Sequence, residues 1–129
     1  MEQFENQIVL RGDLLGMPEF SHENHGKRFC RFLLEVERLS GAVDTLPVVA
    51  REELCTSWEL CPSLRLTVRG QVRSHNHTDE SGRHLMIFVC ACDLCPDDAE
   101  PVNDVRISGI LCREPTFRRT PLGREICDV

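Results

Sequence analysis

Residues 64–74 read LRLTVRGQVRS. Apolar and basic residues alternate there with a period of two, the pattern of a half-buried strand. Leu66, Val68 and Val72 fall on one face, and Arg65, Arg69 and Arg73 on the other. The pattern recurs on both sides of this stretch. QIVLRGDLL (7–15) places Ile8, Leu10, Gly12 and Leu14 together, and FCRFLLEVER (29–38) turns Phe32, Leu34 and Val36 inward with Arg31, Glu35 and Glu37 outward. VDTLPVVA (43–50) and HLMIFVCAC (84–92) complete the strands, and REELCTSWEL (51–60) predicts a short helix ended by Pro62. HNHTDESG (75–82) reads as a turn cluster. Five strands with a short helix between the third and fourth are the pattern of a small all-β Greek-key barrel. Gly12 and Gly70 lie inside strands, where a tightly coiled barrel needs kinks.

The chain has 129 residues, enough for one hydrophobic core. Its 41% hydrophobic and 28% charged residues are ordinary for a soluble globular protein. No apolar run is long enough for a membrane helix. The opening MEQFENQ has neither the basic start nor the apolar core of a secretory signal, so a cytoplasmic protein is expected. The net charge of −6 argues against binding nucleic acid through bulk positive charge, and leaves room for a local basic stripe.

The chain also repeats itself. Shifted by 97 positions, Asn6 falls on Asn103, Gly12 on Gly109, Leu14 on Leu111, Pro18 on Pro115, Phe20 on Phe117, Gly26 on Gly123 and Cys30 on Cys127. Seven identities without a gap mark a duplicated unit. The expected organisation is a barrel domain over 1–96, an acidic solvated linker over 97–102 and the start of a second unit over 103–129. A hairpin of that length cannot build its own core, so either the second unit is cut short or the hairpin pairs with something else.

The runs IVLRGDLLGMPEF, HGKRFCRFLLEVERL, DTLPVVA and LRLTVRGQVRSHNHTDESGRHLMIFV together resemble a bacterial single-stranded DNA-binding protein (SSB), with the most specific likeness in VDTLPVVA and VRGQVRSHNHTDESGR. The resemblance covers residues 6–94, and the second unit resembles the start of the same domain. It implies an OB-fold, a five-stranded Greek-key barrel with a short helix between strands 3 and 4, followed by an incomplete second OB unit. Members with two OB-folds in tandem look most similar. The family assembles as dimers or tetramers and serves DNA replication, recombination and repair, so a cytoplasmic, nucleoid-associated bacterial protein is expected. Tryptophans that the family carries in the third strand and after the fourth correspond to Thr45 and His77, and a fourth-strand aromatic corresponds to Thr67. Family members also end in an acidic tail that recruits partners, and this sequence closes on Cys127-Asp128-Val129 instead.

Single-stranded DNA needs a cationic groove for phosphates and flat side chains for bases. The candidate cations are Lys27, Arg28, Arg31, Arg38, Arg65, Arg69, Arg73 and Arg83. The candidate stacking groups are Phe20, Trp58, His75 and His77. The segments 16–27 and 75–83 are expected to be flexible loop fingers over the strand. Each candidate has a plainer reading: the arginines as a solvated sheet face, the histidines as turn residues, Trp58 as packing and Phe20 as a loop staple. The outward Glu35 and Glu37 oppose phosphate on that face. A second functional class therefore stands beside the first: an OB-fold interaction module, a primosome-type accessory subunit with weak or no DNA affinity.

Eight cysteines without a secretory signal imply free thiols in a reducing compartment. Cys92-x-x-Cys95, with Cys90 nearby, resembles half a zinc site, but no second pair completes it, so no metal or cofactor is expected. The equivalence of Cys30 and Cys127 in the repeat favours packing. No phosphate loop, nucleophile elbow or HExxH motif is present, so no enzyme is expected. The expected partners are single-stranded DNA, further copies in a homodimer or homotetramer with 103–129 in the contact, and replication or repair proteins.

Overall fold

The computed structural model describes residues 3–129. Five strands form the barrel: β1 (Asn6–Asn24), β2 (Lys27–Glu37), β3 (Val43–Arg51), β4 (Arg65–Asp79) and β5 (Gly82–Pro96). They run in the order β2-β3-β5-β4-β1, and β1 returns to pair with β2, closing the sheet on itself. All neighbours are antiparallel except β3 and β5, which meet in parallel at Val48–Val89 and Val49–Cys90. This is the five-stranded OB topology.

The alternation in the sequence sets the interior. Ile8, Leu10, Leu14, Phe32, Leu34, Val36, Val48, Leu66, Val68, Val89 and Leu94 are buried in one cluster. Burial of each such side chain stabilises the fold by about 1.5–3 kcal/mol. Gly12 and Gly70 are the tight points of the coil. A Cβ on Gly12 would collide with the Glu35 carbonyl oxygen, and one on Gly70 with that of Cys90. Beside Gly70 the β4–β5 register slips by one residue, leaving Cys92 as the extra residue of a bulge.

Several expectations are corrected. The predicted helix over 51–60 contracts to α1 (Glu52–Thr56), which packs Cys55 into the core. Trp58 lies beyond the helix, where its Nε1 donates to the Leu94 carbonyl at 2.8 Å. The segments 16–27 and 75–83 are not loops. The first is a hairpin arm whose strands run to Asn24 and from Lys27, and the second continues β4 to Asp79 and β5 from Gly82. Cross-strand backbone hydrogen bonds hold these polar stretches extended even where no side chain reaches the core.

The acidic linker is tied to the barrel at several points, while Asp98, Ala99 and Glu100 stay exposed. Arg11 reaches the Asp97 carboxylate at 3.2 Å and the Glu100 carbonyl at 3.2 Å, while Arg65 donates to the Ala99 carbonyl at 3.2 Å. Thr67 is buried beneath this cover and hydrogen-bonded to both Arg11 and Asp97. Beyond the linker, β6 (Val102–Ile107) pairs antiparallel with residues 6–11 of β1. The last two strands, β7 (Thr116–Arg119) and β8 (Glu125–Asp128), form a separate hairpin. In it Phe117 faces Cys127, just as Phe20 faces Cys30 in the β1–β2 arm. Cys30 packs against the core, whereas Cys127 is exposed.

Candidate nucleic-acid interface

The outer face of the barrel carries the candidate cations, and neighbouring carboxylates divide them into two groups. Arg65 grips Asp13 with Nε at 3.0 Å and Nη2 at 3.3 Å, on the side that the linker covers. Arg38 grips Asp44 with Nε at 2.8 Å and Nη2 at 2.6 Å. That contact holds the Asp44 carboxyl below its ordinary range and raises the Arg38 guanidinium above its own. Arg28 donates to Glu52 at 2.6 Å and lies over the Phe20 ring, 4.3 Å from its centre. Arg31 has a looser partner, Glu19, at 3.9 Å.

The second group, to which Arg51 is added here, has no carboxylate partner. No described carboxylate lies within ion-pair distance of Lys27, Arg51, Arg69, Arg73 or Arg83. Of these, Arg51 and Arg73 meet over one groove of about 620 Å³, which Phe29, Ser57, Gln71, Cys90 and one acidic residue, Glu53, also line. Strand pairing accounts for the convergence. Phe29 faces Arg51 across β2–β3, and Arg73 faces Phe88 across β4–β5. Two residues along, Arg31, Val49, Cys90 and Gln71 form a continuous row over β2, β3, β5 and β4. Arg73 Nη2 donates to Gln71 Oε1 at 3.0 Å, which aims it along the groove. Arg69 is exposed opposite Asp93.

The structure thus brings Arg73 to the groove and places Arg65 and Arg38 outside it, each committed to a carboxylate. Their common side of the strand was legible in the sequence, but their partners were not. The sequence reading missed Arg51 and Phe88. Arg51 continues the outward phase of the third strand, so its position carried the signal.

The candidate aromatic groups are dispersed. His75 and His77 are exposed on the β4 arm, opposite Met86 and His84. Leu85, Met86 and Ile87 give the facing arm an exposed apolar surface. In the other arm the His22 ring stacks on Phe29, with centres 4.8 Å apart and planes 7° from parallel. This links that arm to the rim of the groove. Phe20 and Trp58 are both half-exposed and line a neighbouring groove with Arg28, Cys30 and Cys55. The Cys55 thiol, pushed up to about 11 by burial and by Cys30, is a poor nucleophile at neutral pH.

The cysteine pair read as half a zinc site points apart. Cys92 Sγ donates to the Arg69 carbonyl and Cys95 Sγ to that of Pro96. No group of three or more His, Cys, Asp or Glu side chains converges to hold a metal among the described residues. No helix among them is long and apolar enough to cross a membrane.

Among solved structures, the dimeric N-terminal domain of PriB protein from Thermoanaerobacter tencongensis is 34% identical, with a TM-score of 0.63. The similarity covers 73% of this chain and 98% of that one. The chain belongs to the family of this PriB protein. The single-stranded DNA binding protein from Thermus aquaticus has the same fold, with TM-score 0.79 and 21% identity over 98% of this chain and 66% of that one. A deletion mutant of the same Thermus protein gives 0.75 and 22%, over 98% and 68%. No protein-family model and no curated protein matches the sequence. Thr67 lies under the docked linker.

Proposed function

We propose that this chain binds single-stranded DNA, largely without sequence preference, as a non-catalytic protein of bacterial DNA replication, recombination or repair. The observation that supports this best is a pair of guanidinium groups without a carboxylate partner, Arg51 and Arg73, over one groove. A strand laid there exchanges its counterions for these fixed cations. The His22–Phe29 stack, Phe88, and His75 and His77 on the β4 arm supply flat surfaces for bases. Arg69, Arg83 and Lys27 extend the positive path. Arg28 and Arg31 stand at its margin with Phe20 and Trp58, and Arg38 and Arg65 hold structure instead. Each lost stacking platform weakens binding by about 1–3 kcal/mol, so the aromatic-poor face implies modest affinity.

The relative's dimer supports assembly of this chain as a homodimer or homotetramer in the bacterial cytoplasm, with replication or repair proteins as partners. Residues 103–129 read as the beginning of a second OB unit, joined by the 97–102 linker.

A second reading, an accessory module that works through protein contacts, is favoured by Thr45 and His77 at the family tryptophan positions. One experiment separates the two. A labelled oligo-dT is titrated by fluorescence anisotropy at several salt concentrations, with duplex DNA as control. Preference for the single strand and a steep loss of affinity with salt are expected. Absence of binding at low salt overturns the first reading and leaves the second.

A further inference from the structure

The one turn of α1 is fixed to the barrel through a cysteine. Cys55 is the only residue of that helix to be buried, and it joins the core cluster against which Cys30 of β2 packs. The chain path brings the two together. Cys30 faces Ala50 across β2–β3, and the helix starts two residues after Ala50 and contacts β2. The Cys55 and Cys30 thiols are hydrogen-bonded to each other, and both line the groove of about 640 Å³ that holds Phe20 and Trp58. A disulfide needs its Cα atoms about 4.4–6.8 Å apart, a spacing that two cysteines in direct side-chain contact already approach.

We infer that Cys30 and Cys55 form a dithiol oxidation site, at which hydrogen peroxide entering the groove converts the pair to a disulfide that bolts α1 to β2. Exposure sets the order of events. Cys30 is half-buried and open to the groove. Cys55 is 8% exposed, and its thiol, pushed up to about 11 by burial and by Cys30, holds almost no thiolate at neutral pH. The Cys30 thiolate therefore attacks the peroxide. Its sulfur takes one oxygen as the O–O bond breaks, and the other oxygen leaves as hydroxide, which takes up the proton lost from the thiol. The product is the sulfenic acid of Cys30, which condenses with a neighbouring thiol. The Cys55 sulfur attacks it, the S–S bond forms, the S–O bond breaks, and the hydroxyl leaves as water with the Cys55 proton. Two thiols and one peroxide give one disulfide and two waters.

The bridge would act on a wall shared by two grooves. Glu52, Cys55 and Thr56 of α1 face this groove, while Glu53, Leu54 and the adjoining Ser57 face the groove of Arg51 and Arg73. In a reducing compartment such a disulfide is transient and is reopened by thiols. Its formation does not depend on DNA binding.

The reduced 129-residue chain is treated with hydrogen peroxide, its remaining thiols are alkylated, and its peptides are mapped by mass spectrometry. A Cys30–Cys55 link within one chain is expected, and dithiothreitol should remove it. Trp58, the single tryptophan, lines the same groove, so its emission should fall as the link forms and recover on reduction. In Cys55→Ser the sulfenic acid of Cys30 has no partner, so dimedone, which traps sulfenic acids, should label Cys30 in the variant and not in the wild type. Recovery of both cysteines as alkylated thiols from the peroxide-treated wild type overturns the inference. A link from Cys30 to the exposed Cys61, or to another molecule, also overturns it, because the reacting pair is then a different one. The mapping uses the wild type, so it stays decisive even if circular dichroism shows Cys55→Ser to be unfolded.

Discussion

A methyl group on Gly12 would meet the backbone oxygen of Glu35, an atom fixed by strand pairing that cannot rotate away. Its counterpart in the repeat, Gly109, has no atom within 4 Å of the same point. The two positions form a controlled comparison. Gly12→Ala is expected to lower stability by about 2–3 kcal/mol through overpacking. Gly109→Ala is expected to change it by no more than about 0.5 kcal/mol. Urea denaturation checks both, as a shift in midpoint without a change in slope for Gly12→Ala and no shift for Gly109→Ala. An unchanged midpoint for Gly12→Ala would mean that β1 and β2 separate more easily than their register implies.

Among the elements, the docked linker depends most on one titrating group. The amide of Ala99 and the charge of Arg11 hold the Asp97 carboxyl below its ordinary value of 3.8, with burial opposing them. A depressed carboxyl stabilises the folded form above the unfolded value, and that contribution disappears as pH falls through the folded value. The linker should therefore stay docked at neutral and mildly acidic pH and loosen only below 3.8. Protection of the Ala99 amide, followed by NMR exchange across that range, measures it. Asp97→Asn should show faster exchange at neutral pH with little further change on acidification. Loosening of the wild type already near neutrality would assign the docking to another group. The hairpin arms make a related point about composition. HNHTDESG has the residues of a turn, yet only Glu80 and Ser81 connect the strands. Ladder hydrogen bonds with the apolar run on β5 override the local preference.

At the scale of the whole molecule, an acidic protein binds a polyanion only if its acids and bases are sorted in space. Sorting here is done by ion pairs. Asp13, Asp44 and Glu52 neutralise Arg65, Arg38 and Arg28, and the cations left over include the two at the groove. The double variant Arg51→Ala/Arg73→Ala is expected to reduce the salt slope of oligo-dT binding by about 1.4, at about 0.7 per lost phosphate contact on a single strand. Arg38→Ala is expected to leave the slope unchanged. The anisotropy titration reads both. Equal losses from the two would show that net charge, rather than placement, governs binding.

The inward faces of β1, β2 and β4 were legible because a period of two assigns each side chain to one side of a sheet without reference to its neighbours. Ile8, Leu10, Phe32, Leu34, Leu66 and Val68 are buried as the alternation requires. Gly12 and Gly70 were legible as kinks for the same reason. The arms were not, since 16–24 and 75–79 bury no side chain in the core and hence show no apolar period. Of the site, the common outward side of Arg65, Arg69 and Arg73 could be read from the sequence. Which arginine remains free could not, because Arg65 meets an aspartate 52 residues away. The 97-residue repeat was visible as a string of identities, but the register that pairs Ile8 with Val105 was not. Periodicity is a property of neighbouring residues, so the sequence determined the strands, their faces and the repeat. Register and ion pairing depend on residues far apart in the chain, so only the tertiary structure decided the groove, its free cations and the partner of the β1 edge.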